Sequence, residues 1–354
     1  MHVKSILFFC MVAMTGCATS VSTGPTNDGG IFDGRTALPD LTAFSLLHTN
    51  GGSIPARIVS LEQAADMLLG YDVIFIGESH RHPGNHLAQM QLFRAIHERA
   101  RNVSLSMEQF ERDVQTVVDA YLAGQIGEGP FIETARAWGN YRTSYRPLVE
   151  YAKEHGLTVI ASNAPEKVVR CVGIEGEIFL KRLKPAQRTW AAESLDLRAG
   201  AYRDKFMDFV QGDAAHGGDP DAAEEGEAKL PSEGALRSYA AQITRDDTMA
   251  EYIVQHLAAH PDQKIVHLNG SFHSDSFLGT VERVKARRPN AKIAVISPTT
   301  VEAGTDVTLS DEDLTSGTFV LLLRELPDAY ASDEEMNAAI KRQMGAREER
   351  ACEL

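Results

Sequence analysis

The sequence predicts an α/β protein with an open, mainly parallel sheet and helices on both of its faces. Six short apolar runs rich in β-branched residues predict strands, and longer segments with helical periodicity lie between them. The alternation of strand and helix is typical of parallel strands joined by helical crossovers. The predicted strands cover residues 72–77, 103–108, 158–162, 264–270, 292–297 and 319–323.

A helical insertion is expected between the third and fourth of these core strands. Residues 166–262 separate the two strands, and most of them follow a helical pattern. Within this stretch, residues 212–234 carry seven acidic side chains and one lysine among many small residues. Such a composition has little to bury, so it predicts a flexible acidic loop rather than a packed element.

Charge and composition limit the classes of partner. The chain has 354 residues, 43% of them hydrophobic, which is ordinary for a globular protein that buries a core. Its formal net charge is -14, and no basic stripe interrupts the acidic balance. Proteins that grip phosphate backbones need such a stripe, so we expect no nucleic-acid partner.

The first residues predict an export signal followed by a tether. Residues 1–16 hold one lysine, an apolar run and then small residues, a run too short to span a bilayer. The sequence "MTGC" resembles a bacterial lipobox that ends in Cys17, although Met14 replaces the usual leucine; cleavage as an ordinary secreted protein is the alternative. Lipid on Cys17 would anchor the chain, and Ala18 favours the outer membrane of a bacterial envelope. Residues 17–31 then form a flexible tether, residues 32–325 the α/β domain, and residues 326–354 a charged tail.

Polar side chains follow four of the predicted strands. Glu78 and His80 follow the first strand, Glu108 ends the second and Asn163 follows the third. Asn269 and His273 lie at the end of the fourth. Ligands of open parallel sheets bind at the carboxyl ends of the strands, so we expect these side chains to converge.

Two chemistries suit this set of residues. His80, His273, Glu78 and Glu108 could ligate zinc, manganese, iron or cobalt, since imidazole and carboxylate together accept these ions. In a hydrolase, Glu78 or Glu108 could instead act as the general base. The structural alternative is that Glu78 and His80 only cap the following helix and bond to each other.

The motifs resemble one family. They are "IGESH" followed by "NHLAQMQLFRAI", then "SMEQFERDVQTVVDAYLAGQI", "YRPLVEYAKEHGLTVIASNAP", "ITRDDTMAEYI" and "HLNGSFH". In this order, over residues 73–298, the sequence resembles the ChaN-like haem-binding lipoproteins of the Tiki superfamily.

The resemblance implies an α/β fold, an N-terminal lipid, and haem bound face to face in a homodimer with tyrosine as the iron ligand. Candidate tyrosines here are Tyr145, Tyr141 and Tyr202; the alternative for each is a half-buried aromatic residue with its hydroxyl in water. His86, Asn163 and Asn269 are further candidates for the haem site. His216 matches a histidine of the family, but an acidic insert surrounds it.

The wider superfamily implies a second function. Its metal-dependent proteases use two G-x-x-H motifs and a glutamate, which correspond to Gly77 to His80, Gly270 to His273, and Glu78 or Glu108. Erythromycin esterases share a similar glutamate–histidine start. The expected function is therefore haem binding for iron acquisition, and the alternative is a metal-dependent hydrolase.

Overall fold

The structure is a computed structural model that describes residues 30–215, 231–302, 306–332, 334–339, 342 and 352. This part of the chain forms one eight-stranded sheet in the order β2-β1-β8-β7-β3-β6-β4-β5. The strands are β1 Phe44–His48, β2 Arg57–Val59, β3 Val73–Glu78, β4 Val103–Glu111, β5 Val159–Asn163, β6 Lys264–Gly270, β7 Ile293–Val301 and β8 Phe319–Arg324. The helices are α1 Leu61–Leu68, α2 Pro83–Ala100, α3 Gln115–Leu122, α4 Glu128–Thr134, α5 Arg146–Glu154, α6 Glu166–Glu175, α7 Pro185–Arg188, α8 Ala201–Ala215, α9 Glu233–Ala259, α10 Thr280–Arg287 and α11 Asp311–Thr315.

The predicted fold class is confirmed. Strands β3 to β8 coincide with the six apolar runs, and all of them are parallel to their neighbours among these six. Two strands were not predicted. β1 and β2 form an antiparallel pair at the edge, where β1 also runs antiparallel to β8. They escaped prediction because they are short and their apolar runs are interrupted by polar residues.

Both faces of the sheet are buried, which explains why its strands are continuous apolar runs. Along β3, Ile74 and Ile76 pack into a core with α1, α2 and α5 on one face. Val73 and Phe75 point to the other face and pack into a core with α9 and α10. Alternation with a period of two therefore gives each face its own layer of helices.

The helical insertion between β5 and β6 is also confirmed. It consists of α6, α7, α8 and the long helix α9, with a 3₁₀ helix at Glu177–Arg182. The ends of the predicted acidic loop belong to helices, because α8 extends to Ala215 and α9 begins at Glu233. Residues 216–230, including His216, lie outside the described residues, so the flexible loop stays a prediction for them.

The order of the strands places a crevice between β3 and β6. The connection from β3 runs through α2 on one face to β4, whereas the connection from β6 runs through α10 on the opposite face to β7. Adjacent parallel strands whose connections leave on opposite faces leave their carboxyl ends uncovered. None of the described helices is both long enough and apolar enough to cross a bilayer.

The entry of the chain into α2 depends on close contact with the loop before β1. His82 is the N-cap residue, and Pro83 occupies the first helical turn. Gly84 follows at a position where an added Cβ would lie 2.9 Å from the carbonyl oxygen of Leu41 and 3.0 Å from that of Ala43. Both neighbours are backbone atoms, so only glycine allows this approach.

We expect Gly84→Ala to destabilise the protein by about 1–3 kcal/mol, the usual cost of overpacking. Gly129→Ala is the matched control, because a Cβ at this position in α4 meets no atom within 4 Å. It should be neutral or slightly stabilising. Urea denaturation of the three proteins would measure the difference, and equal midpoints for both variants would contradict the packing argument.

Candidate functional site

Glu78 is the buried centre of the first half of the site. It ends β3, and its carboxylate is surrounded by donors. Oε1 accepts hydrogen bonds from Nδ1 of His80 and from the hydroxyl of Tyr145, both at 2.7 Å, and Oε2 accepts one from Nε2 of Gln89 at 3.0 Å. A buried carboxylate needs such partners to offset the loss of water.

His80 is the exposed partner of this carboxylate. Half of its side chain is accessible, 53% against 0% for Glu78. The hydrogen bond to Glu78 raises the pKa of His80 and outweighs the opposing effect of partial burial. Because Nδ1 donates to Glu78, Nε2 is the ring nitrogen left to bind a ligand, an arrangement common for metal-binding histidines.

The second half of the site surrounds Glu108 and His273. Glu108 is buried near the end of β4, and its Oε2 accepts a hydrogen bond from the backbone N–H of Gly270 at 2.6 Å. Its Oε1 lies 3.5 Å from Nε2 of His273. Burial alone would raise the pKa of Glu108, but the charge of His273 together with hydrogen bonds from His273 and Gly270 holds that pKa well below its usual range.

Asp246, on α9, completes this half and was not predicted from the sequence. Its Oδ1 lies 2.7 Å from Nδ1 of His273 and accepts a second hydrogen bond from Thr280, and its Oδ2 accepts one from Tyr202. Burial disfavours a charged His273, yet Asp246 and Glu108 together raise the pKa of His273 to about 10. His273 is therefore an imidazolium held between two carboxylates.

The two halves meet over Gly270. In the β3–β6 register Glu78 is paired with Gly270. A Cβ at Gly270 would lie 3.0 Å from the ring of His80 and 3.7 Å from Oε2 of Glu108. The four residues that the sequence nominated, Glu78, His80, Glu108 and His273, thus lie around one glycine at the carboxyl ends of three strands.

A cavity of about 380 Å³ opens beside these residues. Phe206, Phe209 and Phe272 form its apolar wall, and Phe209 remains 55% exposed. The polar side carries Glu78, Ser79, His80, Gln242, Gly270, Ser271 and His273. An apolar wall facing a few convergent polar groups is the usual composition of a small-molecule site.

The three candidate tyrosines are buried and do not line this cavity. Tyr145 donates to Glu78 and Tyr202 donates to Asp246, while Tyr141 packs against Phe110 and Phe131. Burial is the main reason that the pKa of each phenol is raised, which disfavours the phenolate that ferric haem prefers. Tyr145 and Tyr202 therefore position two of the three buried carboxylates of the site, Glu78 and Asp246.

The remaining candidates lie under the site. Nδ1 of His86 bonds to Gln89, Asn163 donates to the carbonyl of Glu108, and Asn269 donates to the carbonyl of Gly270 and to Ser274. Each also has a buried polar atom without a protein partner among the described residues, namely Nε2 of His86, Oδ1 of Asn163 and Oδ1 of Asn269. Asn163 and Asn269 thus fix the backbone around the site, and His86 orients Gln89, which donates to Glu78.

The metal hypothesis has the required residue types but not a ready ligand cluster. Among the described residues, no group of three or more histidine, cysteine, aspartate or glutamate side chains is arranged to hold a metal ion. Glu78 already accepts three hydrogen bonds, and Glu108 and Asp246 enclose His273. Cys17, the predicted lipidation site, lies outside the described residues.

Comparison with known proteins identifies the family. A sequence profile described as "Haem-binding uptake, Tiki superfamily, ChaN" matches residues 64–284. A solved structure of ChaN from Campylobacter jejuni, described as binding haem cofacially, is 17% identical and has a TM-score of 0.58. The match covers 80% of this chain and 97% of that one. At this level of identity the structural likeness establishes the fold.

Two other similarities are weaker. A mutant of the erythromycin esterase EreC in its open conformation is 13% identical with a TM-score of 0.43, over 86% of this chain and 88% of that one. The protein RETICULATA-RELATED 5, chloroplastic, from Arabidopsis thaliana is 26% identical over 118 residues. That match covers 31% of this chain and only 16% of the plant protein.

The imidazolium of His273 predicts a specific dependence of stability on pH. Because the folded state raises its pKa, its stabilisation is fully present below the ordinary histidine pKa of about 6.5 and is lost as the pH rises towards about 10. We expect the difference in unfolding free energy between the wild type and His273→Gln to shrink across this range. Chemical denaturation at several pH values, with a chelator present, would measure it.

His256→Gln is the control for that experiment. Burial lowers the pKa of His256, so its contribution has the opposite sign and should not decline in alkali. A difference for His273→Gln that does not change with pH would contradict the charged pair.

Proposed function

We propose that this chain, which belongs to the ChaN family of haem-binding uptake proteins in the Tiki superfamily, binds haem in the cavity beside His80. The observation that carries the proposal is the pairing of an aromatic wall with an imidazole whose Nδ1 is fixed and whose Nε2 is free to bind. Haem needs both an apolar slot for the ring and a protein ligand for iron.

The donor set of the cavity fits haem. His80 would supply the iron ligand, because imidazole is a common axial ligand and its hydrogen bond to a carboxylate orients the ring and increases its basicity. Tyr145 also donates to Glu78, so it helps to hold the carboxylate that holds His80. Bound haem would supply the iron and the absorption band. The protein residues around the cavity would orient the haem and set the charge around it.

The walls of the cavity also suit the porphyrin ring and the propionate groups of haem. Phe206, Phe209 and Phe272 offer apolar faces to a planar ring. Lys205 lies over the ring of Phe272, 4.6 Å from its centroid, and the imidazolium of His273 lines the polar side. Each already has a carboxylate partner, Asp275 for Lys205 and both Asp246 and Glu108 for His273, so a haem propionate would share these groups.

A hydrolase is the second candidate, because two carboxylate–imidazole pairs converge on Gly270. In this reading Glu78 or Glu108 would serve as the base, and a divalent metal such as manganese, zinc or cobalt would activate water. Hydrolysis that depends on Glu108 and is abolished by a chelator, in a protein that binds no haem, would favour this candidate.

The biological role that we propose is iron acquisition in a bacterial envelope, with lipid on Cys17 and the outer membrane as the location. The "MTGC" sequence and the polar residues 18–31 support a lipid anchor and a tether. We also propose that haem binding brings two copies together, because Phe209, one wall of the cavity, is largely exposed and would be covered in a dimer.

His80→Ala should weaken haem binding by at least about tenfold and shift the Soret band, because it removes the proposed iron ligand. Tyr145→Phe should keep the band position, since its hydroxyl points to Glu78 rather than to the cavity. Absorbance titration with haemin would measure both, and His155→Ala, which alters an exposed histidine, is the control. A shifted band in Tyr145→Phe with an unchanged His80→Ala would assign iron to tyrosine and overturn this proposal.

Cys17→Ser should release the protein from membranes when it is expressed in a Gram-negative bacterium with its own N-terminus. Without the thiol no lipid can be attached, so membrane affinity falls to that of an unmodified chain. Fractionation of outer and inner membranes, combined with labelling by a fatty-acid analogue, would measure the change. Unlabelled wild-type protein would contradict the lipid anchor.

A further inference from the structure

A second cavity lies on the same edge of the sheet, at the ends of β4 and β5. It has a volume of about 320 Å³, within the range of about 300–1,000 Å³ typical of ligand sites. Four segments of chain enclose it: the end of β4, the turn after α4, the start of α6, and α7 with the residues after it. Its lining consists of Glu111, Asp113, Arg136, Trp138, Pro165, Glu166, Lys167, Gln187 and Trp190.

Both tryptophans of the chain lie in this cavity. Trp138 and Trp190 are each partly accessible, although Trp138 also packs against the core on one side. An indole offers a broad apolar face beside one N–H donor, a combination that suits ligands with both an apolar face and polar edges. Because both tryptophans of the chain line this cavity, we expect its ligand to have a flat apolar surface.

The charges of the cavity are paired within the protein. Nη2 of Arg136 lies 2.5 Å from both Oε2 of Glu111 and Oδ1 of Asp113. Oε1 of Glu111 also accepts the backbone N–H of Glu166 at the start of α6. The two remaining charged side chains, Glu166 and Lys167, are exposed and of opposite sign. Because the cavity carries charges of both signs and its one arginine is already paired, it favours neither a cationic nor an anionic ligand.

The ion pairs also fix the shape of the cavity. Arg136 has a positive φ of 51°, a left-handed conformation that costs a non-glycine residue about 1–2 kcal/mol. Its two ion pairs hold the guanidinium against the end of β4 and so direct the chain towards Trp138. The arrangement is preformed, which reduces the cost of ordering on binding.

From these observations we propose that the cavity binds a neutral saccharide. A pyranose has an apolar C–H face that stacks on an indole, and its rim of hydroxyls both donates and accepts hydrogen bonds. The carboxylates of Glu111 and Asp113 line the cavity as acceptors that Arg136 already shares, and Lys167 and the amide nitrogen of Gln187 line it as donors. The volume suits a short saccharide unit.

The site is distinct from the haem cavity but adjoins it. No residue lines both cavities, yet the ring of Trp138 lies edge-on to that of His80, with centroids 5.5 Å apart, and 5.9 Å from that of Tyr145. Trp190 has no ring contact with His80, unlike Trp138. A substitution of Trp190 therefore tests the second cavity without altering the contacts of His80.

Tryptophan fluorescence tests the proposal directly, because both emitting residues belong to the cavity. The full-length protein would be titrated with chitobiose, maltose and cellobiose, with isothermal calorimetry as a second readout. We expect a saturable change in emission with at least one of them, and an affinity at least about tenfold lower in Trp190→Ala. Trp190→Phe should retain most of the affinity, because it keeps an aromatic face.

Controls make the result decisive. Tyr330→Ala removes an exposed aromatic residue that does not line the cavity, and it should bind as the wild type does. Circular dichroism would establish that Trp190→Ala is folded. The proposal is overturned if none of the three saccharides binds, if binding is unchanged in Trp190→Ala, or if tetramethylammonium binds in their place.

Discussion

The parallel pairing of β3 with β6 determines which side chains meet at the site. In this register Gly77 faces Asn269 and Glu78 faces Gly270, so the end of one strand presents an acid and the end of the other presents a residue without a side chain. The imidazole of His80 occupies the space above Gly270, and the carboxylate of Glu108 reaches the same glycine from β4. A slip of one residue would reverse the faces of the strand and separate these groups.

The cost of burying charge explains much of the remaining architecture. Glu78, Glu108 and Asp246 are all removed from solvent, and each is surrounded by donors from different elements. The phenols of Tyr145 and Tyr202 contribute one hydrogen bond each, which brings the π-helical turn Tyr141–Tyr145 and helix α8 against the site. Substitution of any one residue in such a network leaves a buried charge without its partner. The contributions of these residues to stability are therefore coupled.

The sequence predicted the parts of this arrangement that follow from local pattern. Apolar runs revealed six strands, and the polar residues directly after them identified Glu78, His80, Glu108 and His273. Asp246 could not be found in this way, because it lies in the middle of α9, a helix whose docking against the sheet is a long-range event. The cavity lined by Trp138 and Trp190 was not predicted for the same reason, because four segments that are separate in the sequence build it. A phenol's hydrogen-bond partner is likewise set by packing: Tyr145 and Tyr202, two of the nominated tyrosines, donate to buried carboxylates, and Tyr141 packs among phenylalanine rings.

One indole separates the two cavities at the edge of the sheet. The ring of Trp138 forms part of the wall of one cavity and contacts the side chain that we assign to iron in the other. A ligand that reorients this ring on one side changes the freedom of His80 on the other. Thermodynamic linkage makes that influence reciprocal, so the two occupancies would be coupled by the same free energy in both directions.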